Sequence, residues 1–365
     1  MNQLLNSAIS AGFRFSLQTF SALDRYFGIK NKQMLFLVTG ASIPELAGHF
    51  DSIEFHGMKG SDIHVHDGRA DGTDLFIQTD SSNTETERKS HTVLDLVYDL
   101  HKDIFFDPYD VYNDLRQAHL RPVRADRFSW YNVADTAILI SRYHYEDPDI
   151  CCQEDHTGHK LTVFEQRHFL IHLLSCAQPG RGLSYLAKTG FLASHWPELD
   201  CLHNIPQTKD YHPEGNVFEH ICEAFKSRKT PDIVLSLGIL LHDIGKSVAT
   251  GSRDKPYLWH TDSGAMLARQ FLHRLGFMEE VITDVTFLVR HHMMPEAIPG
   301  MPLYRIEKLL SSPLFPALLE LYRADLLSTF RGPQQYYNAC RVYRTFCKTR
   351  RNPFRKMQPG KRIVV

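Results

Sequence analysis

Apolar residues in the first third of the chain come in short runs, separated by glycines and polar segments. The runs lie at 34–40, 51–55, 61–67 and 73–80. Short runs and alternation of this kind are typical of buried or half-buried strands. The segment 92–100 is compatible with either a helix or a strand. We therefore predict a mixed α/β region over roughly residues 31–110.

From about residue 120 onward, the spacing of apolar residues becomes helical. Amphipathic helical segments are predicted at 159–177 and 183–202, with the QPGRG sequence between them as a break. A proline-containing loop follows at 203–216, and helical segments continue to about residue 330. The chain from about residue 120 onward is therefore predicted to be helical.

One apolar helix ends on an adjacent histidine and aspartate, His242 and Asp243, with Lys246 three residues after the aspartate. Thr230 is a candidate cap for this helix, and Pro231 suits its first turn. Burial of an imidazole and a carboxylate under an Ile–Leu run is costly unless a cation or a hydrogen-bond network pairs with them. The segment is therefore either an ordinary polar helix end or part of a metal site.

Two further helices place a polar residue on an inward face. His220 has this position on a helix that begins near residue 216, and Asp325 has it on the late helix 315–330. Imidazole nitrogens and carboxylate oxygens are ligands that borderline divalent metals accept. The predicted ligands of one ion are His220, His242, Asp243 and Asp325. The alternatives are a satisfied core histidine at 220 and an ion pair of Asp325 with Arg323 or Arg290.

Histidines on two more helices extend the pattern to a second ion. His260 lies just ahead of a helix, and His291 and His292 end an apolar one. We predict that His260 and either His291 or His292 hold this ion, with Asp243 bridging both ions. The alternatives for His291 and His292 are hydrogen-bond donation to a phosphate and a position at a solvated helix end.

The order of these residues resembles the HD superfamily of metal-dependent phosphohydrolases, whose motif is H…HD…D with a common HDxGK extension. The matching positions are His220, His242, Asp243 and Asp325, with Lys246 in the extension. The resemblance implies an all-helical bundle over roughly 206–335. It also implies hydrolysis of a phosphomonoester or phosphodiester, with one or two divalent ions (Mn, Mg, Ni or Fe) activating water.

The same resemblance assigns roles within the predicted site. Asp243 and Lys246 are the predicted catalytic residues. Asp243 would bridge the ions, and Lys246 would neutralise charge that develops on the phosphoryl oxygens. Lys246, His260 and His292 are the predicted substrate-binding residues. The implied substrate is a nucleotide or an RNA end.

The chain as a whole is similar to bacterial CCA-adding tRNA nucleotidyltransferases that carry an HD domain. Segment 205–225 looks like the start of that attached domain, and 36–42 resembles the phosphate loop of the head. Segment 88–123 supplies the positions Arg88, Thr92, Tyr98, Asp99, Asp107, Pro108, Asp114 and Leu115, which match the head's motif series. The resemblance implies a nucleotidyltransferase-like α/β head.

The head departs from the pattern of that family at its metal ligands. The family loop has two glycines, then Arg-Asp and a DxD pair, whereas Gly40 stands alone here. The nearest carboxylates, Asp51 and Glu54, are three positions apart. Residues three apart face opposite sides of a strand, so these two are unsuited to hold one ion pair. We therefore predict a degenerate head that does not add nucleotides.

Bulk composition excludes several classes of protein. The net charge of −1 gives no whole-chain attraction to nucleic acid or membrane. The seven cysteines include no CxxC pair, which indicates reduced thiols rather than a disulfide scaffold. No apolar run approaches the ~18–20 residues of a bilayer span, and the first residues lack a secretory signal, so a cytoplasmic protein is predicted.

A basic tail is the exception to this neutral composition. Residues 341–362 contain nine Lys and Arg residues and no acid. Such a tail either contacts a phosphate backbone or is a solvated terminus. If it binds RNA, Tyr343, Phe346 and Phe354 are candidates for base stacking.

These observations predict an α+β protein in four parts. They are a degenerate nucleotidyltransferase-like α/β head (1–145), a helical neck or linker (146–205), an all-α HD phosphohydrolase domain (206–335) and a basic C-terminal tail (336–365). The predicted partners are a nucleotide or phosphoester substrate and RNA at the tail, with no membrane. The alternative functions are a noncatalytic RNA- or nucleotide-binding regulator and an active tRNA nucleotidyltransferase.

Overall fold

The computed structural model of the 365-residue chain describes most of its predicted elements. The described residues are 9–30, 33–50, 53–54, 63–66, 74–79, 90–123, 129–143, 145–146, 148, 160–207, 215–248 and 260–348, with only the backbone at 33, 34, 66 and 74. The chain divides into two compact units. The first is Met1–Asp135 with Tyr143–Asp149, and the second is Thr136–Arg142 with Ile150–Val365.

A single sheet forms the centre of the first unit. Within the described ranges its strands are β1 (Arg14–Leu17), β2 (Gln33–Thr39), β3 (Ile63–His66), β4 (Asp74–Thr79), β5 (Val97–Asp99) and β6 (Ile104–Phe106), in the order β3-β4-β2-β1-β5-β6. Strands β2 and β4 run parallel, and the other neighbouring pairs run antiparallel. The strands predicted at 34–40, 61–67 and 73–80 are confirmed. Of 51–55, Glu54 makes an isolated bridge to His64, and Asp51 lies outside the described residues.

Alternation along the strands builds the core of this unit, because successive side chains on a strand face opposite sides of the sheet. Phe15 on β1 and both Phe36 and Val38 on β2 are fully buried. The rings of Phe15 and Phe36 meet edge to face at 5.8 Å. Helices α1 (Thr19–Phe27), α2 (Ile43–Ala47) and α3 (Tyr112–Gln117) accompany the sheet.

The segment 92–100 combines both of its predicted alternatives. Residues Thr92–Asp95 form a 3-10 turn, and β5 follows directly. The turn is held by the Thr92 hydroxyl, which donates to Asp114 Oδ2 at 3.1 Å. Arg121 Nε donates to the same oxygen at 2.9 Å. Two of the positions that match the nucleotidyltransferase head segment, Thr92 and Asp114, thus have structural roles in holding the turn that precedes β5.

The described part of the second unit is built from helices. They are α4 (Trp130–Arg142, whose residues from Thr136 onward belong to this unit), α5 (Val163–Ser175), α6 (Pro179–Lys188), α7 (Phe191–His195), α8 (Pro197–Asp200), α9 (Val217–Ala224), α10 (Ile233–Leu241), α11 (His260–Arg274), α12 (Glu279–His291), α13 (Met294–Ala297), α14 (Leu303–Leu310), α15 (Phe315–Leu327) and α16 (Gln334–Lys348). The α+β fold class is therefore confirmed.

The predicted break at QPGRG is wrong in its position. Helix α5 ends at Ser175, and α6 begins at Pro179, so both glycines of the sequence lie inside a helix. A Cβ at Gly180 would lie 2.4 Å from the carbonyl oxygen of Cys222, and one at Gly182 would lie 2.3 Å from Ser141 Oγ. The glycines therefore permit close contact of α6 with α9 and α4.

The cap of α10 also differs from the prediction. Asp232, and not Thr230, is the N-cap residue, because its side chain accepts a hydrogen bond from the Leu235 N–H at 2.8 Å. Pro231 precedes the helix rather than occupying its first turn. A carboxylate caps an N-terminus well and also complements the helix dipole, which accounts for the start of α10 at residue 233.

Candidate metal centre

The ends of α9 and α10 bring the first candidate ligands together. Asn216 caps α9 by accepting a hydrogen bond from the Glu219 N–H at 2.9 Å, and His220 follows one turn later, fully buried. Helix α10 consists almost entirely of apolar residues and ends at Leu241. His242 and Asp243 therefore come directly after a helix that is fixed by its own packing, and both are buried.

Gly245 brings the start of α11 next to these residues. A Cβ at this position would lie 1.9 Å from the carbonyl oxygen of His260 and 2.5 Å from the backbone nitrogen of Gly264. Only glycine allows such an approach between the 3-10 turn Ile244–Ser247 and α11. The close contact places the His260 ring beside Asp243.

The first group of candidate ligands contains His220, His242 and Asp325. His220 Nε2 lies 3.0 Å from Asp325 Oδ1 and 3.4 Å from His242 Nε2. His242 Nε2 lies 3.8 Å from the same carboxylate oxygen. Residues 105 positions apart in the chain therefore meet at one point.

The alternative ion pairs of Asp325 do not form. Arg323 instead binds Glu320 with an Nη2–Oε2 distance of 2.9 Å. Arg290 pairs with Asp262, with an Nε–Oδ1 distance of 3.3 Å. Neither arginine is thus committed to Asp325.

The second group contains Asp243, His260 and His292. The Nε2 atoms of the two histidines are 3.3 Å apart. Asp243 Oδ1 lies 3.7 Å from His260 Nε2 and 3.8 Å from His292 Nε2. Within the described ranges, these are the two groups in which ligand atoms of three or more His, Cys, Asp or Glu residues all lie within 4.8 Å of one another.

Asp243 lies between the two groups. Its Oδ1 faces the second group, while its Oδ2 lies 3.4 Å from His242 Nε2 and 3.8 Å from His220 Nε2. Lys246 Nζ lies 2.6 Å from Oδ2. One carboxylate therefore contacts both groups and the lysine.

Hydrogen bonds at the other ring nitrogen orient the histidines. His242 Nδ1 lies 2.8 Å from the Ile239 carbonyl oxygen, and His292 Nδ1 lies 2.8 Å from that of Val289. Carbonyl oxygens only accept, so both Nδ1 atoms carry the proton and both Nε2 atoms offer a lone pair.

His220 is oriented by a side chain instead. Ser328 Oγ donates to the Asp325 carbonyl oxygen at 2.6 Å, so it accepts from His220 Nδ1, which lies 3.1 Å away. The Nε2 atom of His220 then faces Asp325. Their 3.0 Å separation suits either a proton between the two atoms or an ion bound to both.

The electrostatics of the site favour neutral imidazole and ionised carboxylate. Burial lowers the pKa of His292 to about 4, which keeps its ring neutral at neutral pH. Burial alone would raise the pKa of Asp243, but Lys246 and His242 hold it well below its usual range. These are the protonation states in which histidine and aspartate bind metals.

The residues present fit a divalent ion in each group. In each group the three candidate ligand atoms lie within 4.8 Å of one another. Bonds of about 2.0–2.2 Å to nitrogen and oxygen place neighbouring ligand atoms roughly 3–4 Å apart, as they are here. Adjacent Nε2 lone pairs at 3.3 and 3.4 Å repel each other unless a cation or a proton lies between them.

His291 lies outside both groups. Its ring contacts Phe287 at 4.7 Å, whereas the neighbouring His292 reaches the centre. His273 on α11 is exposed and lies outside both groups.

Two residues next to the site were not singled out by the sequence. Gln207 Oε1 accepts a hydrogen bond from Lys246 Nζ at 3.1 Å, and Ser328 contacts His220. Gln207 lies in a segment whose composition predicted only a loop. Ser328 follows Asp325 at helical spacing, which is the one signal that would have indicated it.

The predicted stacking role of the C-terminal aromatics is wrong for two of the three. Tyr343 and Phe346 on α16 are buried, and the Tyr343 ring packs against Phe315 at 4.7 Å. Phe354 lies outside the described residues, as does much of the basic tail. None of the described helices combines the length and apolar character needed to cross a membrane.

Comparison with known proteins agrees with the two resemblances. The HD domain family matches residues 215–329. A multifunctional CCA protein of Xanthomonas campestris pv. campestris is 26% identical over 242 residues, which cover 62% of this chain and 59% of that protein. One from Methylobacillus flagellatus is 26% identical over 261 residues, covering 65% and 57%. The chain thus spans less than two thirds of the length of these curated relatives.

The fold comparison gives the same result. The crystal structure of the Bacillus stearothermophilus CCA-adding enzyme in complex with CTP aligns with a TM-score of 0.56 at 14% sequence identity, covering 95% of this chain and 84% of that one. At this identity the likeness concerns the fold. The chain therefore carries an HD domain at residues 215–329, shares the fold of a CCA-adding enzyme, and is similar in sequence to multifunctional CCA proteins.

Proposed function

We propose that the chain is a metal-dependent phosphohydrolase that hydrolyses a phosphomonoester or phosphodiester of a nucleotide or an RNA end. The observation that carries the proposal is the position of Asp243, whose two oxygens face two separate groups of candidate ligands. A shared carboxylate is the arrangement expected of two neighbouring ions that act on one phosphoryl group. The HD domain match supports the same chemistry.

Each side chain has a proposed role in this site. His220, His242 and Asp325 hold the first ion, His260 and His292 hold the second, and Asp243 bridges them. His291 is proposed as an alternative only if its ring turns towards the centre. When bound, divalent ions of the Mn, Mg, Ni or Fe type supply activated water and withdraw charge from the phosphoryl oxygens.

Lys246 is proposed to bind the substrate. Its side chain is 11% exposed, and its ammonium group is held by Asp243 Oδ2 and by Gln207 Oε1. Its positive charge lies beside the carboxylate shared by the two groups, so it would attract an anionic phosphoryl oxygen bound there. Charge that develops on a phosphoryl oxygen in the transition state would be neutralised there.

The proposed organisation of the chain follows that of the predicted parts. The head comprises 1–145, the neck 146–205, the HD phosphohydrolase domain 206–335 and the tail 336–365. We also propose RNA contact by the basic tail, of which Arg341, Arg344 and Lys348 lie in the described helix α16.

The test is elemental analysis combined with a panel of phosphoesters, each assayed with Mn²⁺, Mg²⁺, Ni²⁺ and Fe²⁺. Wild-type protein is expected to contain metal and to hydrolyse at least one substrate class, and Asp243→Asn to lose both metal and turnover. His273→Ala is the control, because His273 is an exposed histidine on the same helix as His260. Bound metal without turnover in the wild type would contradict the hydrolase and point to a noncatalytic regulator.

A second candidate function is nucleotide addition by the head, which the similarity to multifunctional CCA proteins and the shared fold favour. Incorporation of labelled CTP or ATP into tRNA separates it from hydrolysis. Incorporation that persists in Asp243→Asn would assign the activity to the head.

A further inference from the structure

Gln207 is bound to Lys246 through the oxygen of its side-chain amide. The residue is 8% exposed, and its Oε1 lies 3.1 Å from Lys246 Nζ. An ammonium group can only donate hydrogen bonds, so the atom that faces Lys246 must be the amide oxygen. The orientation of the amide is thereby fixed, and its Nε2 points away from the ammonium.

This Nε2 is a buried donor. Among the residues that the structure describes, it has no hydrogen-bond partner. A buried N–H group without an acceptor is costly, and such groups are rare in native proteins unless a ligand or a water satisfies them. The unsatisfied donor lies beside a lysine that itself contacts the carboxylate shared by both ligand groups.

The backbone of Gln207 is also held in place. Its N–H donates to the Gly215 carbonyl oxygen at 2.9 Å, and Pro206 pairs with Asn216. Asn216 in turn caps the helix that carries His220. Gln207 is therefore joined to the metal centre through its backbone and its side chain, although it precedes the residues 215–329 that match the HD domain.

We propose that Gln207 is a substrate-binding residue, whose Oε1 positions Lys246 and whose Nε2 donates a hydrogen bond to a non-bridging oxygen of the substrate phosphoryl group. This proposal rests on the proposed phosphohydrolase function. The chemistry of the neighbours selects the ligand, because a neutral N–H donor and an ammonium together suit an anionic oxygen. The amide oxygen is occupied by Lys246, so the amide offers this ligand a donor only.

Two substitutions distinguish the role of the amide oxygen of Gln207 from that of its amide nitrogen. Gln207→Glu keeps an acceptor for Lys246 but replaces the donor with a second anionic oxygen, which repels phosphate. Gln207→Leu removes both functions with little change in volume. If Gln207 served only to position Lys246, the glutamate variant would behave like the wild type, since its contact with the ammonium becomes an ion pair.

The experiment measures the binding of inorganic phosphate to metal-loaded, full-length protein by calorimetry. Gln207→Glu is expected to raise the Kd for phosphate about tenfold to a hundredfold, the range for loss of a hydrogen bond to a charged group. Gln207→Leu is expected to raise it about tenfold. Metal content, measured on the same samples, is expected to stay at the wild-type value, because the amide is no ligand. Gln334→Glu is the control, because it changes the charge equally at an exposed glutamine.

Wild-type affinity for phosphate in Gln207→Glu would overturn the proposal, and so would a wild type that does not bind phosphate. If the glutamate variant does not fold, an unchanged Kd in Gln207→Leu would have the same consequence. Failure of the proposed function looks different: the wild type would bind phosphate, the variants would weaken that binding, and no phosphoester would be hydrolysed.

Discussion

Ser328→Ala tests whether the candidate ligands are organised as the hydrogen bonds indicate. The hydroxyl group is buried, accepts from His220 Nδ1 at 3.1 Å and donates to the Asp325 carbonyl oxygen at 2.6 Å. Alanine removes this acceptor from the N–H of a fully buried imidazole, which costs about 1–3 kcal/mol. Loss of such an outer hydrogen bond typically weakens metal binding about 10- to 100-fold, or about 1.4–2.7 kcal/mol.

The assay is a calorimetric titration of Mn²⁺ into protein from which metal has been removed. Only the ion held by His220 is expected to bind more weakly, because the second group contains neither His220 nor Asp325. Ser328→Thr retains the hydroxyl and is expected to restore most of the affinity. Thr329→Val is the matched control, since the Thr329 hydroxyl bonds the Leu326 carbonyl oxygen and no candidate ligand.

Two results would refute the reasoning. Unchanged affinity in Ser328→Ala would show that the hydroxyl does not orient His220. Equal weakening of both ions would show that the substitution disturbs the whole bundle rather than one ring.

Three further outcomes are expected. His292→Ala abolishes metal-dependent turnover whereas His291→Ala retains it, because only the ring of His292 reaches the other ligands; equal losses would contradict this assignment. Gly245→Ala lowers the thermal unfolding temperature and the metal content together, since its Cβ would lie 1.9 Å from the His260 carbonyl oxygen; an unchanged unfolding temperature would disprove that contact. Burial of the ring lowers the pKa of His195 to about 4, and the positive charges of Lys160 and Arg274 act in the same direction. Above pH 6.5 the His195 ring is neutral in both the folded and the unfolded protein. As the pH falls from 6.5 to 4, only the unfolded protein gains a proton on this ring. His195 therefore removes about 2 kcal/mol of stability by pH 5, and chemical denaturation of His195→Gln at pH 8 and pH 5 is expected to show a correspondingly smaller loss on acidification.

The sequence predicted the helices of the site because apolar periodicity is a local signal. His220 and Asp325 stood out as polar residues on apolar stripes, and the structure places them 3.0 Å apart. The cap of α10 was mispredicted because Thr230 and Asp232 are both good caps, and only the hydrogen bond to Leu235 distinguishes them.

Features that depend on tertiary contact were not visible in the sequence. The glycines of QPGRG predicted a break between two helices, yet they lie within α6 and allow the backbones of neighbouring helices to approach closely. Gln207 acquires its role only because Lys246, 39 residues later, folds back to its amide. The two ligand groups themselves were predicted from spacing, but which of His291 and His292 turns inward depends on the packing of α12.

The three innermost histidines differ in how sensitive their orientation is to mutation. His242 and His292 donate to main-chain oxygens of residues three positions earlier, and every amino acid provides such an oxygen. Substitution of Ile239 or Val289 by another residue therefore leaves those rings aligned, provided that α10 and α12 remain helical. His220 relies on the hydroxyl of one serine, so a single nucleotide change in that codon would be enough to misalign it.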